Sequence, residues 1–139
     1  MTPTIIYQTE NDLTVEDFRL VLKNSTLGER RPIDDTERLD LMLKNANLIV
    51  TARLEGTIIG VSRAITDFAF CTYLSDLAVD ENYQKKGIGK ELIRRTKLAA
   101  PRAKLILLSA PKAVDYYPRI GMKHHPHCYY IDTVEELKQ

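Results

Sequence analysis

The sequence predicts an α/β fold in which a mixed central sheet carries helices on both faces. Three observations support this fold class. Segments with apolar residues at helical spacing are interleaved with short strand-like runs, as in proteins that cover a sheet with helices. A strand at residues 71–79 leads through a glycine loop into a helix, so this strand and the next should be parallel. The run at residues 104–108 is apolar, as expected of a strand buried on both faces.

The first part of the chain is predicted to form a short strand and two helices. The strand covers residues 5–7, and Thr14 is a suitable N-cap for the helix that follows. Polar residues 29–32 separate this helix from a second one over residues 34–45. Apolar side chains recur at helical spacing in both helices, namely Val15, Phe18, Val21 and Leu22 in the first and Leu39, Met42 and Leu43 in the second.

The hydrophobic period then changes from helical to strand-like. Strands at residues 48–54 and 57–65 flank a turn at 55–56 and form a hairpin. The strand at 71–79 follows, and the helix after the glycine loop extends over residues 87–99.

A further helix and strand are predicted near the C-terminus. The helix covers residues 111–120 and ends at Gly121, and Pro118 should kink or shorten it. The last strand covers residues 128–131, which gives the element order β-α-α-β-β-β-α-β-α-β. The chain contains no linker or repeat, so residues 1–139 are expected to form a single domain.

Composition narrows the class of protein. The chain is 44% hydrophobic and 28% charged, as in soluble globular proteins, and its net charge of +1 gives no overall preference for nucleic acid or membrane. No apolar run could span a bilayer and the N-terminus lacks an export signal, so we expect a cytoplasmic protein. Cys71 and Cys128 lie in strand-like segments and are expected to be reduced core thiols.

The glycine loop, residues 84–90, has the chemistry of a phosphate site. Without a Cβ at Gly87 or Gly89, a ligand can approach the backbone N–H groups of a helix start, where the dipole favours negative charge. The same loop carries positive charge on Lys85, Lys86 and Lys90. A dinucleotide-binding fingerprint fails because Leu92 occupies the place of its third small residue, and no segment supplies a Walker A motif. The loop therefore predicts a phosphate or pyrophosphate ligand of another kind.

The string Gln84-x-x-Gly87-x-Gly89, after a strand and before an amphipathic helix, resembles the coenzyme A pyrophosphate loop of the GNAT (Gcn5-related) N-acetyltransferase family. The element order is similar to that of the GNAT fold, and the resemblance covers essentially the whole chain. A second segment, residues 113–122, resembles the family's apolar-Tyr-x-x-x-Gly-apolar motif. An Asn that often precedes this motif is Ala110 here, which removes one polar contact to the cofactor.

The resemblance implies acetyl-CoA as co-substrate and identifies the residues that would hold it. In the family, pantetheine lies along the strand before the loop, and a backbone N–H, here of Leu77 or Val79, would polarise the thioester carbonyl. The implied cofactor-binding residues are Leu77, Ala78, Val79, Gln84, Lys85, Lys86, Gly87, Ile88, Gly89 and Lys90.

Two residues are candidates for catalysis. Tyr117 matches the family's general-acid tyrosine, and a phenol of pKa about 10 is protonated at neutral pH and can donate to a departing thiolate. The alternative is that Tyr117 only packs against the cofactor. Asp76, polar within an apolar strand, is a candidate base or anchor for the substrate amine. The alternative is that Asp76 satisfies a local bulge or loop.

Charged residues between the first two helices lie where the family usually forms its acceptor pocket. The candidate substrate-binding residues are Glu29, Arg30, Arg31 and Arg63, which together with Asp67 could select a charged substrate. The alternative is a solvated polar loop. Three histidines and a cysteine in residues 124–128 suggest a zinc site, but Pro126 and strand geometry disperse these side chains, so no metal is expected.

These observations together predict an acetyl-CoA-dependent N-acetyltransferase that acts on a primary amine, with a small molecule as the acceptor. The alternatives are acetylation of a protein N-terminus or lysine, and a non-catalytic acyl-CoA-binding regulatory module. A nucleic-acid partner is not expected, because the basic residues cluster at the loop without aromatic interleaving or a helix-turn-helix pattern. Exposed edge strands and the family habit favour a homodimer.

Overall fold

The computed structural model describes residues 3–138 and contains a five-stranded sheet in the order β1–β2–β3–β4–β5. The first four strands pair with one another in antiparallel orientation, whereas β5 is parallel to β4. The sheet is therefore mixed, and the predicted fold class is confirmed. The strands are β1 Ile5–Thr9, β2 Leu48–Leu54, β3 Thr57–Thr66, β4 Cys71–Val79 and β5 Lys104–Ile106.

Three helices belong to the same compact unit as the sheet, which spans Met1–Leu108. They are α1 Val15–Asn24, α2 Thr36–Lys44 and α3 Ile88–Ala99. Thr14 caps α1 as predicted, since its hydroxyl accepts the Asp17 N–H at 3.2 Å. Asp35 caps α2 by accepting the Arg38 N–H at 3.0 Å, so this helix begins slightly later than expected. None of the described helices is long and apolar enough to cross a membrane.

The sheet separates two hydrophobic cores, one on each face. Successive residues of a strand point to opposite faces, and β2 illustrates this alternation. Ile49 packs with α1 and α2, around Phe18, whereas Leu48 and Val50 pack with α3, around Leu92. Helices therefore cover both faces of the sheet, as the sequence predicts.

A second compact unit spans Ser109–Gln139. Its helix α4 covers only Tyr116–Arg119, so the helix predicted over residues 111–120 is shorter than expected. Pro118 gives the reason. It lies in the first turn of α4, where its missing N–H is not needed, whereas in a continuous helix it would break an interior hydrogen bond. The single-domain organisation stays a prediction.

Gly121 ends α4 in the manner predicted. Its φ of +99° lies in the left-handed region, and its N–H donates to the Pro118 carbonyl at 3.1 Å. The rest of this unit contains two short 3-10 turns, at Pro111–Ala113 and Val134–Glu136.

The strand predicted at residues 128–131 is wrong. This segment is irregular, and within the described residues the sheet ends at β5. Its aromatic side chains are open to solvent, with Tyr129 88% and Tyr130 75% exposed. Strand-type side chains favour a strand only where a neighbouring strand supplies hydrogen bonds and a packing surface, and a sequence pattern does not reveal that partner.

The prediction that both cysteines are core thiols is also wrong. Cys71 and Cys128 are free and exposed. Cys71 is the first residue of β4 and lies beside the β3–β4 turn, where the Asp67 carboxylate accepts its N–H at 3.0 Å. Cys128 lies in the irregular segment of the second unit.

Candidate functional site

β4 carries a β-bulge at Ser75 that changes the direction of its side chains. β3 pairs Arg63 with Asp76 and its next residue with Leu74, so Ser75 has no partner on β3. Leu74 consequently packs in the core under α3, whereas Ala78 packs in the core under α1 and α2. The bulge therefore turns Asp76 towards the face that α1 and α2 cover.

β4 also loses a neighbouring strand close to the bulge. It pairs with β5 only over Cys71–Tyr73, while its pairing with β3 continues to Val79. Residues 77–79 thus have β3 on one side and, among residues 3–138, no strand on the other. Backbone groups on such an open side can bind an extended ligand as an added strand.

The loop after β4 is held together by its own side chains. The Gln84 amide donates to the Val79 carbonyl at 3.0 Å, and the Asp80 carboxylate accepts the Asn82 N–H at 2.9 Å. Lys86 Nζ lies 5.6 Å from the centroid of the Tyr83 ring, a cation–π contact that orients this lysine. In this structure the exposed Gln84 side chain supports the loop backbone through this hydrogen bond.

α3 begins with Gly87 as its N-cap, in the left-handed region at φ +82°. A Cβ at this position would meet no atom within 4 Å, so the space beside the backbone is open. The first helical hydrogen bond joins the Glu91 N–H to the Gly87 carbonyl at 3.0 Å, and Gly87 supplies no capping side chain. The N–H groups of Ile88, Gly89 and Lys90 precede that bond and can donate to a ligand.

Positive charge surrounds this helix start. The lysines of the loop are exposed, namely Lys85, Lys86 and Lys90. Two arginines further along α3 pair instead with Glu91, at 2.7 and 3.4 Å. Open backbone donors, a glycine whose missing side chain leaves room, and exposed cations together fit the pyrophosphate of coenzyme A.

Asp76 is fully buried and paired with two arginines. Its two oxygens accept hydrogen bonds from Nε of Arg31 and Nε of Arg63. Both guanidinium groups also reach the bulge, since Arg31 Nη2 donates to the Ser75 carbonyl at 2.8 Å and Arg63 Nη2 donates to Ser75 Oγ at 3.0 Å. We call these four residues the Asp76 cluster. Their arrangement favours the alternative in which Asp76 supports a local bulge.

The candidate substrate-binding residues are thus divided between two environments. Arg31 and Arg63 belong to the Asp76 cluster, and each guanidinium group gives three hydrogen bonds, two of them within the cluster. Glu29 and Arg30 are exposed on the 3-10 segment Leu27–Arg30, immediately before Arg31.

Asp67 does not join the Asp76 cluster. One of its oxygens accepts the N–H groups of Phe70, Ala69 and Cys71, at 2.7, 2.9 and 3.0 Å. These hydrogen bonds lower the pKa of the Asp67 carboxyl to about 2. Asp67 therefore closes the β3–β4 turn.

Tyr117 lies in α4 of the second unit. Its ring contacts that of Tyr116 edge to face, with the centroids 5.2 Å apart. Partial burial, with a smaller effect from Tyr116, raises the pKa of the Tyr117 phenol above its ordinary value. The phenol is consequently protonated at neutral pH, which is the form that a general acid needs.

The histidine segment of the second unit is exposed. The His127 N–H donates to Nδ1 of His125 at 2.9 Å, and the two rings lie 5.7 Å apart. Across residues 3–138, no three His, Cys, Asp or Glu side chains come together in a way that could hold a metal ion.

The sequence analysis did not identify Ser75 as the bulged residue of β4. A bulge leaves no periodic signature, and the one signal for it is the polar pair Ser75 and Asp76 inside an otherwise apolar strand. The contacts of Arg31 with this pair were equally hidden, because they join residues 44 and 45 positions apart.

Comparison with protein families and curated proteins gives consistent matches. A model of the acetyltransferase (GNAT) family matches residues 12–122. The chain is similar to histone acetyltransferase TAP1 of Glycine max, with 29% identity over 136 residues that cover 88% of this chain and 57% of that protein. The chain thus spans little more than half the length of the curated relatives that it matches.

Solved structures share the fold. A GNAT family acetyltransferase from Streptococcus pneumoniae TIGR4 superimposes with a TM-score of 0.75 at 20% identity, covering 93% of this chain and 98% of that one. An aminoglycoside acetyltransferase from an uncultured soil metagenomic sample, solved in complex with trehalose, superimposes with a TM-score of 0.64 at 25% identity. That match covers 94% of this chain and 96% of the other.

Proposed function

The chain belongs to the acetyltransferase (GNAT) family, and from this premise we propose that it transfers the acetyl group of acetyl-CoA to the primary amine of a small molecule. Acetyl-CoA is the co-substrate of this family. The observation that carries the proposal is the start of α3, where Gly87 leaves open space beside three backbone N–H groups. A pyrophosphate needs such donors, and a side chain at this position would exclude it.

In the proposed complex, two parts of the chain hold acetyl-CoA. The loop donors of residues 87–90 and the side chains of Lys85, Lys86 and Lys90 bind the pyrophosphate. The open side of residues 77–79 binds the pantetheine amides as an added strand, consistent with the loss of β5 as a neighbour after Tyr73. Acetyl-CoA supplies the thioester, and a backbone N–H of Leu77 or Val79 stabilises negative charge on its carbonyl oxygen.

Proton transfer is assigned to Tyr117 and to solvent. The amine nitrogen forms a bond to the carbonyl carbon, the carbon–sulfur bond breaks, and the Tyr117 phenol protonates the departing thiolate. The substrate ammonium gives one proton to water before the attack and the acylated nitrogen gives a second after it, and water returns one of these protons to the Tyr117 phenolate. We do not assign this step to Asp76, because both of its oxygens already accept hydrogen bonds from arginines.

A small-molecule acceptor is supported by the likeness to an aminoglycoside acetyltransferase, one of the structures that match nearly the whole chain. A protein acceptor is the second candidate, because a curated relative is named as a histone acetyltransferase. A non-catalytic module that binds acyl-CoA is the third, since the loop alone does not require turnover.

The test is an assay with acetyl-CoA and a panel that includes aminoglycosides, polyamines, amino acids and histone-tail peptides. Release of free thiol measures turnover, and mass spectrometry identifies the acetylated product. We expect saturable turnover with at least one small amine. Turnover with the peptides alone would favour the second candidate, and saturable CoA binding without turnover would favour the third.

A further inference from the structure

Arg31 joins the segment between α1 and α2 to the bulge of β4. It directly follows the 3-10 segment Leu27–Arg30, and its backbone is extended there, at φ −137° and ψ 154°. Its side chain is 22% exposed and reaches Asp76, which is completely buried. Arg31 therefore links the segment between α1 and α2, which is expected at the acceptor, to β4, which is expected at the cofactor.

The hydrogen bonds of the Asp76 cluster are distributed symmetrically. Each guanidinium group gives one bond to a different oxygen of Asp76 and one bond to a different atom of Ser75. Arg63 gives its third bond to the Met42 carbonyl in α2, at 3.1 Å. The bulge is thus held from two sides, by the segment before α2 and by the last turn of α2.

The physical need for this arrangement follows from the bulge. A bulge interrupts the ladder, so the extra residue leaves backbone groups that must find other partners. Arg31 supplies the donor for the Ser75 carbonyl, and Asp76 holds Arg31 in place. A buried carboxylate in turn requires paired charge, which the two arginines provide.

We propose that Arg31 is a positioning residue: together with Asp76 and Arg63 it fixes the bulge, and thereby aims the backbone groups of residues 77–79 at the thioester. This inference rests on the proposed function, since it assigns Arg31 a part in the same site. It replaces the role expected from the sequence, in which Arg31 contacts the acceptor.

Three possible roles of Arg31 have different consequences. A residue that contacts the acceptor changes KM for some amines and not for others, and it leaves CoA affinity intact. A positioning residue acts through β4, so its loss weakens CoA binding and lowers kcat by the same factor for every amine. A residue that only stabilises the fold lowers the melting temperature and leaves both constants of the folded enzyme unchanged.

The experiment compares Arg31→Gln with Arg38→Gln, which makes the same change at an exposed arginine of α2. CoA affinity is measured by titration, and kcat and KM are measured for the two best amines of the panel. For Arg31→Gln we expect Kd for CoA to rise about tenfold, the effect of losing one well-aligned hydrogen bond. We expect kcat to fall by about 10²-fold with both amines, as misplacement of reacting groups does. Arg38→Gln should match the wild type.

A milder variant keeps the test valid if Arg31→Gln does not fold. Ser75→Ala removes only the hydroxyl partner of Arg63 and leaves all three charges of the cluster in place. It should produce a smaller loss of the same kind, in Kd for CoA and in kcat. Asp76→Asn provides the coupling test: in the Asp76→Asn background, Arg31→Gln should cost less than it does in the wild type.

The outcomes separate the two proposals. A wild-type protein that binds no CoA, or turns over no amine, contradicts the proposed function. A functional wild type whose Arg31→Gln and Ser75→Ala variants keep normal Kd and kcat contradicts the positioning role. A rise in KM for one amine alone, with CoA affinity unchanged, would restore Arg31 to the acceptor.

Discussion

The Asp76 cluster and the glycine loop lie before and after residues 77–79 of β4, yet they are specified in opposite ways. The loop takes its donors, its open space and its cations from residues 84–90, a single short stretch. The cluster takes its members from three separate segments, around Arg31, Arg63 and Ser75. The loop presents unpaired groups to a ligand, whereas the cluster pairs its buried charges with one another. The loop is suited to binding a ligand, whereas the cluster stabilises the strand.

The largest effect is expected in the loop. Gly87→Val places a branched side chain at φ +82° and fills the open space, so CoA binding should be lost altogether. Thermal unfolding with increasing CoA measures this, because ligand stabilisation grows with the ratio of concentration to Kd. Gly56→Val is the matched control, with φ +85° and equally open space in the β2–β3 turn. It should suffer a similar strain and keep its response to CoA; equal responses in both variants would break the assignment.

The next largest effect is expected on the rate of acetyl transfer and not on CoA binding. Tyr117→Phe keeps the ring and removes the phenolic proton, so kcat and kcat/KM should fall together by about 10²–10⁴-fold, the usual contribution of a general acid. CoA affinity should remain near the wild-type value. Tyr130→Phe, at an exposed tyrosine of the same unit, is the control. Full activity in Tyr117→Phe would leave Tyr117 with a packing role only.

Asp76→Asn tests whether Asp76 stabilises the bulge or acts as a base. Removing one partner from a buried ion pair should cost about 3 kcal/mol or more in the free energy of unfolding, because two arginines lose their counter-charge. Turnover of the folded variant should fall by the same factor at every pH between 6 and 10. Recovery of turnover in alkaline buffer, where the amine loses its proton unaided, would instead make Asp76 the base.

The contrast between these regions also explains which parts of the site could be predicted from the sequence. Gln84, Gly87 and Gly89 could be proposed as phosphate contacts from the sequence alone, because the backbone groups involved are adjacent in the chain. Asp76 and Arg31 were both singled out, but as a base and as an acceptor contact, since nothing in the sequence joins residues 45 positions apart. The alternative kept open for Asp76, a local bulge, is the one that the structure favours.

The same contrast, between features set by adjacent residues and features set by distant ones, applies to the fold. β2, β3 and β4 were predicted nearly to the residue, because each has apolar runs and a neighbour in the sheet. The segment at 128–131 has strand-type residues and forms no strand in the described chain, since the pattern does not supply a partner. Pro118 was expected to shorten its helix, and α4 is short, because a proline's missing N–H acts locally.

The smallest effect is expected at a second cluster of ion pairs, which lies outside the proposed site and should affect stability alone. Arg53 pairs with Glu10 at 2.6 Å and with Asp17 at 2.8 Å, and its hydrogen bonds hold the pKa of Glu10 below its ordinary value of 4.5. A lowered pKa means that the stabilisation is present above pH 4.5 and is lost as the pH falls through the lowered value.

The corresponding prediction concerns stability alone. Glu10→Gln should lower the free energy of unfolding by about 1 kcal/mol at pH 7, and this difference should shrink when unfolding is measured towards pH 3. Turnover at pH 7 should not change, in contrast to Asp76→Asn. An equal loss of turnover in both variants would show that ion clusters anywhere in the sheet affect the site, and that the Asp76 cluster has no special part.

The most direct test of the proposed function is amine-dependent release of free thiol from acetyl-CoA, measured side by side for the wild type, Gly87→Val and Gly56→Val. We expect release that saturates with both acetyl-CoA and an amine in the wild type. The same release should persist in Gly56→Val and be absent in Gly87→Val. Release that is independent of the amine, or equal in all three proteins, would contradict the claim that this chain transfers an acetyl group bound at its glycine loop.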